Sequence, residues 1–469
     1  MTQNYPKRLI EVDLPIKRIS AHARREKSIR HGHISTLHIW WARRPLAACR
    51  AVICAALWPD PADELCPASF RDKARAEMLA WTPHERQRLL GEESRKRFEK
   101  ARQKPALFDD TEQLRGALLD FIADFANWDN STVKEYLETS RALTQSAHEA
   151  LGGAAGTRPL VVDPFAGGGS IPLEALRVGA DAFASDLNPV AVLLNKVVLE
   201  YIPKYGQRLA DEVRKWGEWI KKEAEKELGE FYPKDADGAT PIAYLWARTI
   251  QCEGPGCGAE VPLMRSFWLA KKANRSAALQ VVPRPRAKRV EFQIIVKQRG
   301  GWVDQDDPKT KIADPKFDGT VKRGSATCPC CGYTTPLARV REQLKAKRGG
   351  ATGAMLYCVA STRDNEQGRF YRLPNDADQK ALAAAKTRLA RRKSATDGPA
   401  SFVPSESTVG YHSFVNRGPI YGMISWEDYF CPRQALALGT LAALIRKAGQ
   451  KLHEAEASEF SVAVQTASP

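Results

Sequence analysis

The sequence predicts an α/β protein with an open, incomplete parallel sheet, a helical amino-terminal region and an inserted zinc ribbon. Three observations predict this class. A short apolar strand, a glycine-rich turn, a helix and a second strand follow one another within residues 159–186. Apolar residues recur at helical spacing through residues 70–150, and two tight cysteine pairs enclose a later segment.

Length and composition favour a multi-domain protein of the cytoplasm. The chain has 469 residues, 43% of them hydrophobic, which is enough for two or three cores. Its longest apolar run, residues 51–58, is far shorter than the roughly 20 residues that cross a bilayer. We see no export signal, so we expect a cytoplasmic protein whose ten cysteines are reduced, and we expect no membrane partner.

Positive charge is concentrated in two regions. The formal charge is +16, with 11 Lys/Arg against 4 Asp/Glu in residues 1–60 and 21 against 10 in residues 252–364. Such regions indicate a polyanionic partner, and we favour nucleic acid. Solvated basic faces are common and membranes are also anionic, so charge alone does not decide the question.

Composition and periodicity divide the chain into six segments. A basic amino-terminal domain is followed by a helical segment, and a glycine turn then marks the start of an α/β core. The cysteine-bounded insert interrupts that core, and a basic helix, roughly residues 379–393, with a linker precedes the last apolar helix, residues 435–445. We expect boundaries at 1–69, 70–150, 151–245, 246–365, 366–410 and 411–469, the last range ending in a polar tail.

The glycine turn indicates a nucleoside site. It follows a strand that ends at Asp163, and ligands of open parallel sheets bind beyond the carboxyl ends of the strands. The turn contains neither G-x-G-x-x-G nor a P-loop lysine, which argues against dinucleotides and triphosphates. Asp186 ends the next strand 23 positions later and suits the hydroxyls of a ribose. The alternative is a plain glycine-rich turn of another α/β enzyme.

The residues around this turn resemble those of amino-methylating DNA methyltransferases, whose first motif reads D-P-F-x-G-x-G. The match covers DPFAGGGSIPLEALRVGADAFASDLNPVAV. More narrowly, the chain resembles bacterial adenine-specific DNA methylases that contain a zinc ribbon. Those proteins begin with a domain of unknown function carrying STLHxWWARRPL, and residues 35–46 here read STLHIWWARRPL. Further similar segments are FIADFANWD, YLWARTIQC and YGMISWEDYFCPRQALAL.

This resemblance implies a Rossmann-like fold and S-adenosylmethionine as the cofactor. In related enzymes a Trp-Ala-Arg-x-Pro segment helps to wall the cofactor site. The alternative here is that Trp40 and Trp41 are core residues and that Arg43 and Arg44 are surface charges. The cofactor-binding residues we expect are Asp163, Pro164, Phe165, Ala166, Gly167, Gly168, Gly169, Asp186, Leu187, Asn188, Trp41 and Arg43.

Two glycine-closed cysteine pairs predict a structural zinc site. Zinc favours four thiolates in a tetrahedron, and closely spaced cysteines in two hairpins supply them. We expect the ligands to be Cys252, Cys257, Cys328 and Cys331. Cys330 competes with Cys331, and unligated buried thiols are the alternative to a metal. The basic residues nearby either follow DNA phosphates or form a solvated surface: Lys271, Lys272, Arg284, Arg286, Lys288 and Arg289.

The catalytic motif of the resembled family is not found in this sequence. Amino-methylating enzymes use (D/N/S)-P-P-(Y/F/W), and the nearest strings here lack the second proline and the aromatic residue. We therefore assign no catalytic residue and expect a carboxy-terminally shortened chain that works with a second polypeptide. The function implied is adenine-specific DNA methylation, which suits a restriction-modification setting. The alternatives are a catalytically silent DNA-binding or regulatory module and methylation of RNA or protein.

Overall fold

Helical apolar spacing in the first part of the chain is matched by helices in the computed structural model of the protein. The described residues are 5–29, 31–32, 34–272, 276–364, 366–395, 401–410, 417–455 and 458–468. The chain divides into two compact units, residues 1–214 with 456–468, and residues 215–455.

The first unit contains ten helices before residue 202, within its described part. They are α1 (Leu9–Val12), α2 (Ile16–Ser28), α3 (Leu46–Leu57), α4 (Ala68–Leu79), α5 (His84–Gln87), α6 (Glu92–Gln103), α7 (Thr111–Phe125), α8 (Lys134–Ala150), α9 (Ser170–Val178) and α10 (Pro189–Asn195). A π-helical turn, Lys196–Tyr201, continues α10. The prediction of a helical amino-terminal region is confirmed.

One hydrophobic core joins these helices. It extends in sequence from Leu9 to Ala180 and contains Trp58, Trp81 and Phe121. The two indoles are fully buried, and each donates a hydrogen bond to a threonine hydroxyl of α8 at 3.0 Å. Because a buried indole N–H needs an acceptor, these bonds help to fix α8 against α3 and the segment after α4.

Two parallel strands complete the described part of the first unit. Strand β1 (Leu160–Asp163) pairs with β2 (Asp181–Ala184), and Asp163 lies opposite Ala184. The predicted strand, turn, helix and strand are therefore present. No third strand joins this sheet within the described residues. The mixed helix and sheet class is confirmed, but the two strands that the structure describes here do not by themselves make a Rossmann-like fold.

The second unit contains antiparallel sheets and four helices within the described residues. Three strands, β3 (Thr240–Ala247), β14 (Met355–Arg363) and β15 (Glu366–Arg372), form one sheet. A five-stranded sheet contains β6 (Trp268–Ala270), β7 (Ala277–Arg284), β8 (Arg289–Gln298), β9 (Gly301–Asp304) and β10 (Lys311–Ile312). Smaller sheets contain β4 (Thr249–Gln251) with β5 (Glu260–Pro262), and β11 (Val321–Lys322), β12 (Ser325–Thr327) and β13 (Thr334–Thr335).

The helices of the second unit include both helices predicted near its end. They are α11 (Ile202–Leu228), whose first residues belong to the first unit, α12 (Leu337–Ala346), α13 (Asp376–Ser394) and α14 (Pro432–Ala455). Helix α13 corresponds to the predicted basic helix, and α14 is longer than predicted at both ends. The predicted linker includes residues 396–400, which lie outside the described residues.

The predicted polar tail is wrong in part, because it contains helix α15 (Glu459–Ala467). Phe460, Ala463 and Val464 are buried on one side of this helix. The Phe460 ring lies 5.0 Å from Tyr205, and the Arg208 guanidinium stacks over it at 4.0 Å. Apolar residues at helical spacing were present in this short segment, but its small and polar neighbours hid the pattern.

Candidate functional site

The glycine turn connects β1 to α9 through residues 164–169. Gly167 and Gly169 have φ angles of 51° and 76°, a region that favours glycine. Asp163 is buried, and its carboxylate accepts a hydrogen bond from the Phe165 amide at 3.1 Å. The first predicted acid therefore holds the start of the turn.

Asp186 follows β2, and each oxygen of its carboxylate accepts a hydrogen bond from a backbone amide. Its Oδ2 accepts from the Gly167 amide at 2.8 Å, and its Oδ1 accepts from the Asn188 amide at 2.8 Å. The bonds from Asn188 and then Gly167 favour the charged form and lower the pKa of Asp186 below its usual value. Each carboxylate oxygen has a second lone pair, so Asp186 can still accept hydrogen bonds from hydroxyl groups.

A surface cavity of about 390 Å³ lies beside Asp186. Its lining also includes Ser185 and Asn195, with apolar residues of α9, β2 and α10. The volume is within the range of small-molecule pockets, roughly 300–1,000 Å³. The cavity and the half-buried carboxylate provide a concave site with a hydrogen-bond acceptor.

The backbone amides of Gly167, Gly168 and Gly169 are not equally available for hydrogen bonding. Gly167 donates to Asp186, and Gly169 donates to the Ala166 carbonyl at 2.8 Å. Among the described residues the Gly168 amide has no such bond. The turn therefore satisfies the Gly167 and Gly169 amides internally.

Trp40 packs directly on the glycine turn. A methyl group placed on Gly167 would lie 2.7 Å from Trp40 Nε1, and one on Gly168 would lie 3.1 Å from Trp40 Cβ. Trp40 is 8% exposed. Because Gly167 and Gly168 have no side chains, the Trp40 indole can pack directly against them. Trp40 belongs to the segment that resembles the domain of unknown function. Residue spacing alone did not distinguish Trp40 from its neighbour.

Trp41 and Arg43 lie in different environments. The Trp41 ring stacks on Trp40 with centroids 4.1 Å apart and is 78% exposed. Arg43 is half-buried and lines a hollow of about 20 Å³ with Trp40 and Gly168. Trp40 is therefore a core residue, as one alternative for this segment holds, whereas Trp41 is not.

The remaining predicted residues flank the turn. Ala166 is buried. Phe165 is 86% exposed and Leu187 is fully exposed, while Pro164 is also on the surface. The Asn188 side chain caps α10 by accepting from the Val190 amide at 2.9 Å. The structure brings these residues to the same end of the two strands, with two large apolar side chains open to a ligand or a partner.

Asn195 is a residue of this site that the sequence reasoning missed. Its side-chain amide donates to the carbonyls of Gly167 at 3.0 Å and Ala191 at 2.8 Å. Its Oδ1 is buried without a hydrogen-bond partner among the described residues, and a methyl group on Gly169 would lie 2.7 Å from that atom. A π-helical turn begins at the next residue, and such turns are frequent at functional sites. A polar residue within the apolar run PVAVLLNKVV was the available signal.

Four cysteines of the second unit form a candidate metal site. The side chains of Cys252, Cys257, Cys328 and Cys331 offer ligand atoms that all lie within 4.8 Å of one another. The sulfur atoms of Cys252 and Cys331 are 3.5 Å apart, and those of Cys257 and Cys328 are 3.8 Å apart. A tetrahedral zinc with bonds of about 2.3 Å separates its sulfurs by about 3.8 Å. The four cysteines could hold a metal ion such as zinc.

Cys330 lies outside this group. Its sulfur is 3.5 Å from the Arg289 carbonyl oxygen, and it is not one of the four clustered thiols. The Cys252 sulfur also accepts a hydrogen bond from the Gly254 amide at 3.3 Å, an interaction that supports a thiolate ligand. Four thiolates close a zinc coordination sphere, so the arrangement fits a structural metal.

The basic residues near the cysteines are partly neutralised. Arg284 and Arg289 both form ion pairs with Glu291, at 2.9 Å and 2.6 Å. Lys271 lies over the Trp268 ring at 5.5 Å, and Lys272 is exposed. These basic residues place positive charge on the surface, but the Glu291 carboxylate partly neutralises Arg284 and Arg289.

One family model matches part of the chain. Residues 13–82 match a family described as "Protein of unknown function (DUF1156)". This match agrees with the predicted amino-terminal domain of unknown function. The description of the family names no activity. The matched residues are 70 of 469 and contribute helices α2, α3 and α4 to the first unit.

No curated protein and no solved structure matches the chain. Among the described residues, none of the helices has the length and apolar character needed to span a bilayer.

Proposed function

We propose that this chain is the cofactor-binding part of an adenine-specific DNA methyltransferase that uses S-adenosylmethionine. The observation that carries the proposal is the register of β1 and β2. Asp163 lies opposite Ala184, so Asp163 and Asp186 are at the same edge of two parallel strands, with the glycine turn between them. That edge is where open parallel sheets bind ligands. The choice of adenine in DNA rests on the resemblance alone.

The side chains at this edge suit a nucleoside with a charged amino-acid tail. Asp186 would accept hydrogen bonds from the ribose hydroxyls, and its lowered pKa keeps it charged. The unpartnered Oδ1 of Asn195 would accept one further hydrogen bond from the ligand. When bound, the cofactor supplies an electrophilic methyl group. The zinc, held by four thiolates, would keep the second unit folded.

Further strands would complete the sheet, and we propose that a second polypeptide supplies them with the catalytic motif. One face of the two strands is apolar and exposed: Leu160, Val162 and Phe183 are 62%, 56% and 55% exposed. Parallel sheets normally have both faces covered. The outer edges of β1 and β2 also have no neighbouring strand within the described residues.

Calorimetric titration of the zinc-loaded chain with S-adenosylmethionine tests the proposal. We expect the wild type to bind. Asp186→Ala should weaken binding by roughly 100-fold or more, because two hydrogen bonds to a charged group are lost, each worth about 1.5–3 kcal/mol. Asp181→Ala is the matched control, since Asp181 is an exposed acid at the opposite end of the same strand. Absence of binding by the wild type would refute the cofactor assignment.

A catalytically silent DNA-binding or regulatory module is the second candidate. The packing of Trp40 on Gly167 and Gly168 favours it, because these glycines already serve internal packing. The internal hydrogen bonds of the Gly167 and Gly169 amides favour it as well. A chain that binds DNA but not S-adenosylmethionine in the same titration would support this candidate over the first.

A further inference from the structure

The second half of α13 carries positive charge without any acidic residue. After Asp378 the helix contains no Asp or Glu, and its apolar residues Ala381 and Ala385 are buried. Ala385 and Leu389 belong to a cluster with residues of α11 and α14. The basic side chains lie on the remaining surface, here called the basic face of α13: Lys386, Arg388, Arg391, Arg392 and Lys393.

Two cavities flank this basic face. The first has a volume of about 370 Å³ and is lined by Arg388, Arg391 and Arg392, with Glu227 as the one acid among the described lining residues. The second has a volume of about 510 Å³. Its charged lining residues are Lys347, Arg348, Lys386, Lys393, Glu427 and Asp428. Counted over the described lining residues, three cations against one carboxylate, and four against two, leave two positive charges in excess in each cavity.

The carboxylates of these cavities are already paired. Glu227 pairs with Arg392 at 2.6 Å. Arg348 pairs with Asp428 at 2.9 Å and with Glu427 at 3.3 Å, and Glu427 also pairs with a lysine of α13. The cations that remain are therefore not balanced by acids of the lining.

Three cations of the basic face have no ion pair in the part of the chain that the structure describes. They are Lys386, Arg388 and Arg391, and all three are exposed. In addition, Arg392 Nε is buried and has no hydrogen-bond partner among the described residues. An unpaired buried donor is unfavourable, and an anion that entered the first cavity would neutralise the positive charge of its lining.

The helix dipole explains only part of this pattern. Cations in the last turn of a helix interact favourably with its carboxyl end. That effect accounts for Arg391, Arg392 and Lys393. It decays within one turn, so it does not account for Lys386 or Arg388.

The chemistry of the basic face fits phosphate groups along a nucleic-acid strand. Guanidinium groups form forked hydrogen bonds to phosphate. A helix that binds a membrane surface instead needs an exposed apolar face, whereas the apolar side of α13 is buried within its own unit. We propose that the basic face of α13 and its two flanking cavities bind the phosphate backbone of duplex DNA. This rests on the proposed function and assigns its DNA contact to α13, not to the cysteine-bounded insert.

Salt-dependent binding of the zinc-loaded full chain to a labelled duplex tests the proposal. The variant is Arg388→Gln with Arg391→Gln, both exposed and unpaired within the described chain. Each lost phosphate contact lowers the slope of log affinity against log salt by about 0.9, so the slope should fall by about 2. Affinity should fall equally for duplexes of unrelated sequence. Lys386→Gln alone should lower the slope by about 1.

The matched control removes the same charge from the insert. Arg284→Gln with Arg289→Gln lies on the hairpin of β7 and β8, where Glu291 already pairs with both residues. The control slope should equal that of the wild type. An unchanged slope in the α13 variant, an equal fall in both variants, or a fall only in the control would overturn the proposal. Preferred binding of an RNA duplex would overturn the assignment to DNA.

Calorimetry with S-adenosylmethionine on the same proteins separates the two claims. The α13 variant should bind the cofactor as the wild type does. A different result is that the wild type binds no cofactor while the slope of log affinity against log salt still falls by about 2 in the α13 variant. In that case the proposed function fails and the phosphate-binding surface stands.

Discussion

The buried ion pair between Arg50 and Glu174 links the matched family region to the helix that follows the glycine turn. Arg50 Nε lies 2.6 Å from Glu174 Oε2, and the side chains are 1% and 0% exposed. The Arg50 guanidinium also donates to the Phe125 carbonyl. We predict that Arg50→Met destabilises the first unit, because it leaves the Glu174 carboxylate buried with less compensation.

The expected loss is about 3 kcal/mol. Removal of one partner of a buried pair costs about 3–5 kcal/mol. Arg177 remains 3.1 Å from Glu174 with a side chain 14% exposed, so the carboxylate keeps one cation and the loss falls at the lower end. Arg50→Met with Glu174→Leu removes both charges. This double variant should lose only about half as much, because no buried carboxylate remains.

Hydrogen exchange resolved by peptide is the suitable assay, since two compact units need not unfold together. A loss of about 3 kcal/mol should speed exchange in α3 and α9 by on the order of a hundredfold. The control Arg75→Met breaks an exposed pair with Asp109 and should cost under about 1 kcal/mol. The reasoning is refuted if Arg50→Met behaves like this control, or if the double variant is no more stable than the single one.

Three further outcomes can be checked. Cys331→Ser should remove bound zinc, measured by elemental analysis, whereas Cys330→Ser should keep about one zinc per chain because its thiol lies outside the cluster. Trp40→Ala should destabilise the first unit by about 3 kcal/mol, whereas Trp41→Ala, with a ring 78% exposed, should cost under about 1 kcal/mol in urea unfolding. NMR titration should find the pKa of Asp186 below its usual value. The two hydrogen bonds to its carboxylate then stabilise the folded state at pH values above the pKa of Asp186 in the unfolded chain. This stabilisation is lost as the pH falls through the pKa of Asp186 in the folded state.

The local order of elements around the glycine turn could be predicted because each element carries its own pattern. The apolar run before Asp163, the glycines and the helix closed by Gly179 are local features, and the structure has β1, the turn and α9 at those positions. The cysteine cluster was predictable for a similar reason, since short pairs closed by glycine constrain the backbone locally.

Features that depend on tertiary contacts could not be predicted. Whether Trp40 or Trp41 packs on the glycine turn depends on how the amino-terminal segment folds. The sequence shows only two adjacent tryptophans and does not distinguish them. The internal hydrogen bonds of the Gly167 and Gly169 amides depend on the exact backbone positions of the turn, which the sequence does not specify. Helix α15 becomes stable by burying Phe460 against a residue more than two hundred positions earlier.

Three contacts connect the region of unknown function to the glycine turn, and together they suggest what that region does structurally. Trp40 covers two of the glycines, the Ser170 hydroxyl donates to the Arg44 carbonyl at 3.0 Å, and Arg50 pairs with Glu174 of α9. The hydrophobic core is also continuous from Leu9 to Ala180. The described residues of the range 13–82 therefore share their core with the rest of the first unit and form one wall of it. Because the Trp40 indole packs against Gly167 and Gly168, a displacement of the turn would also displace this indole.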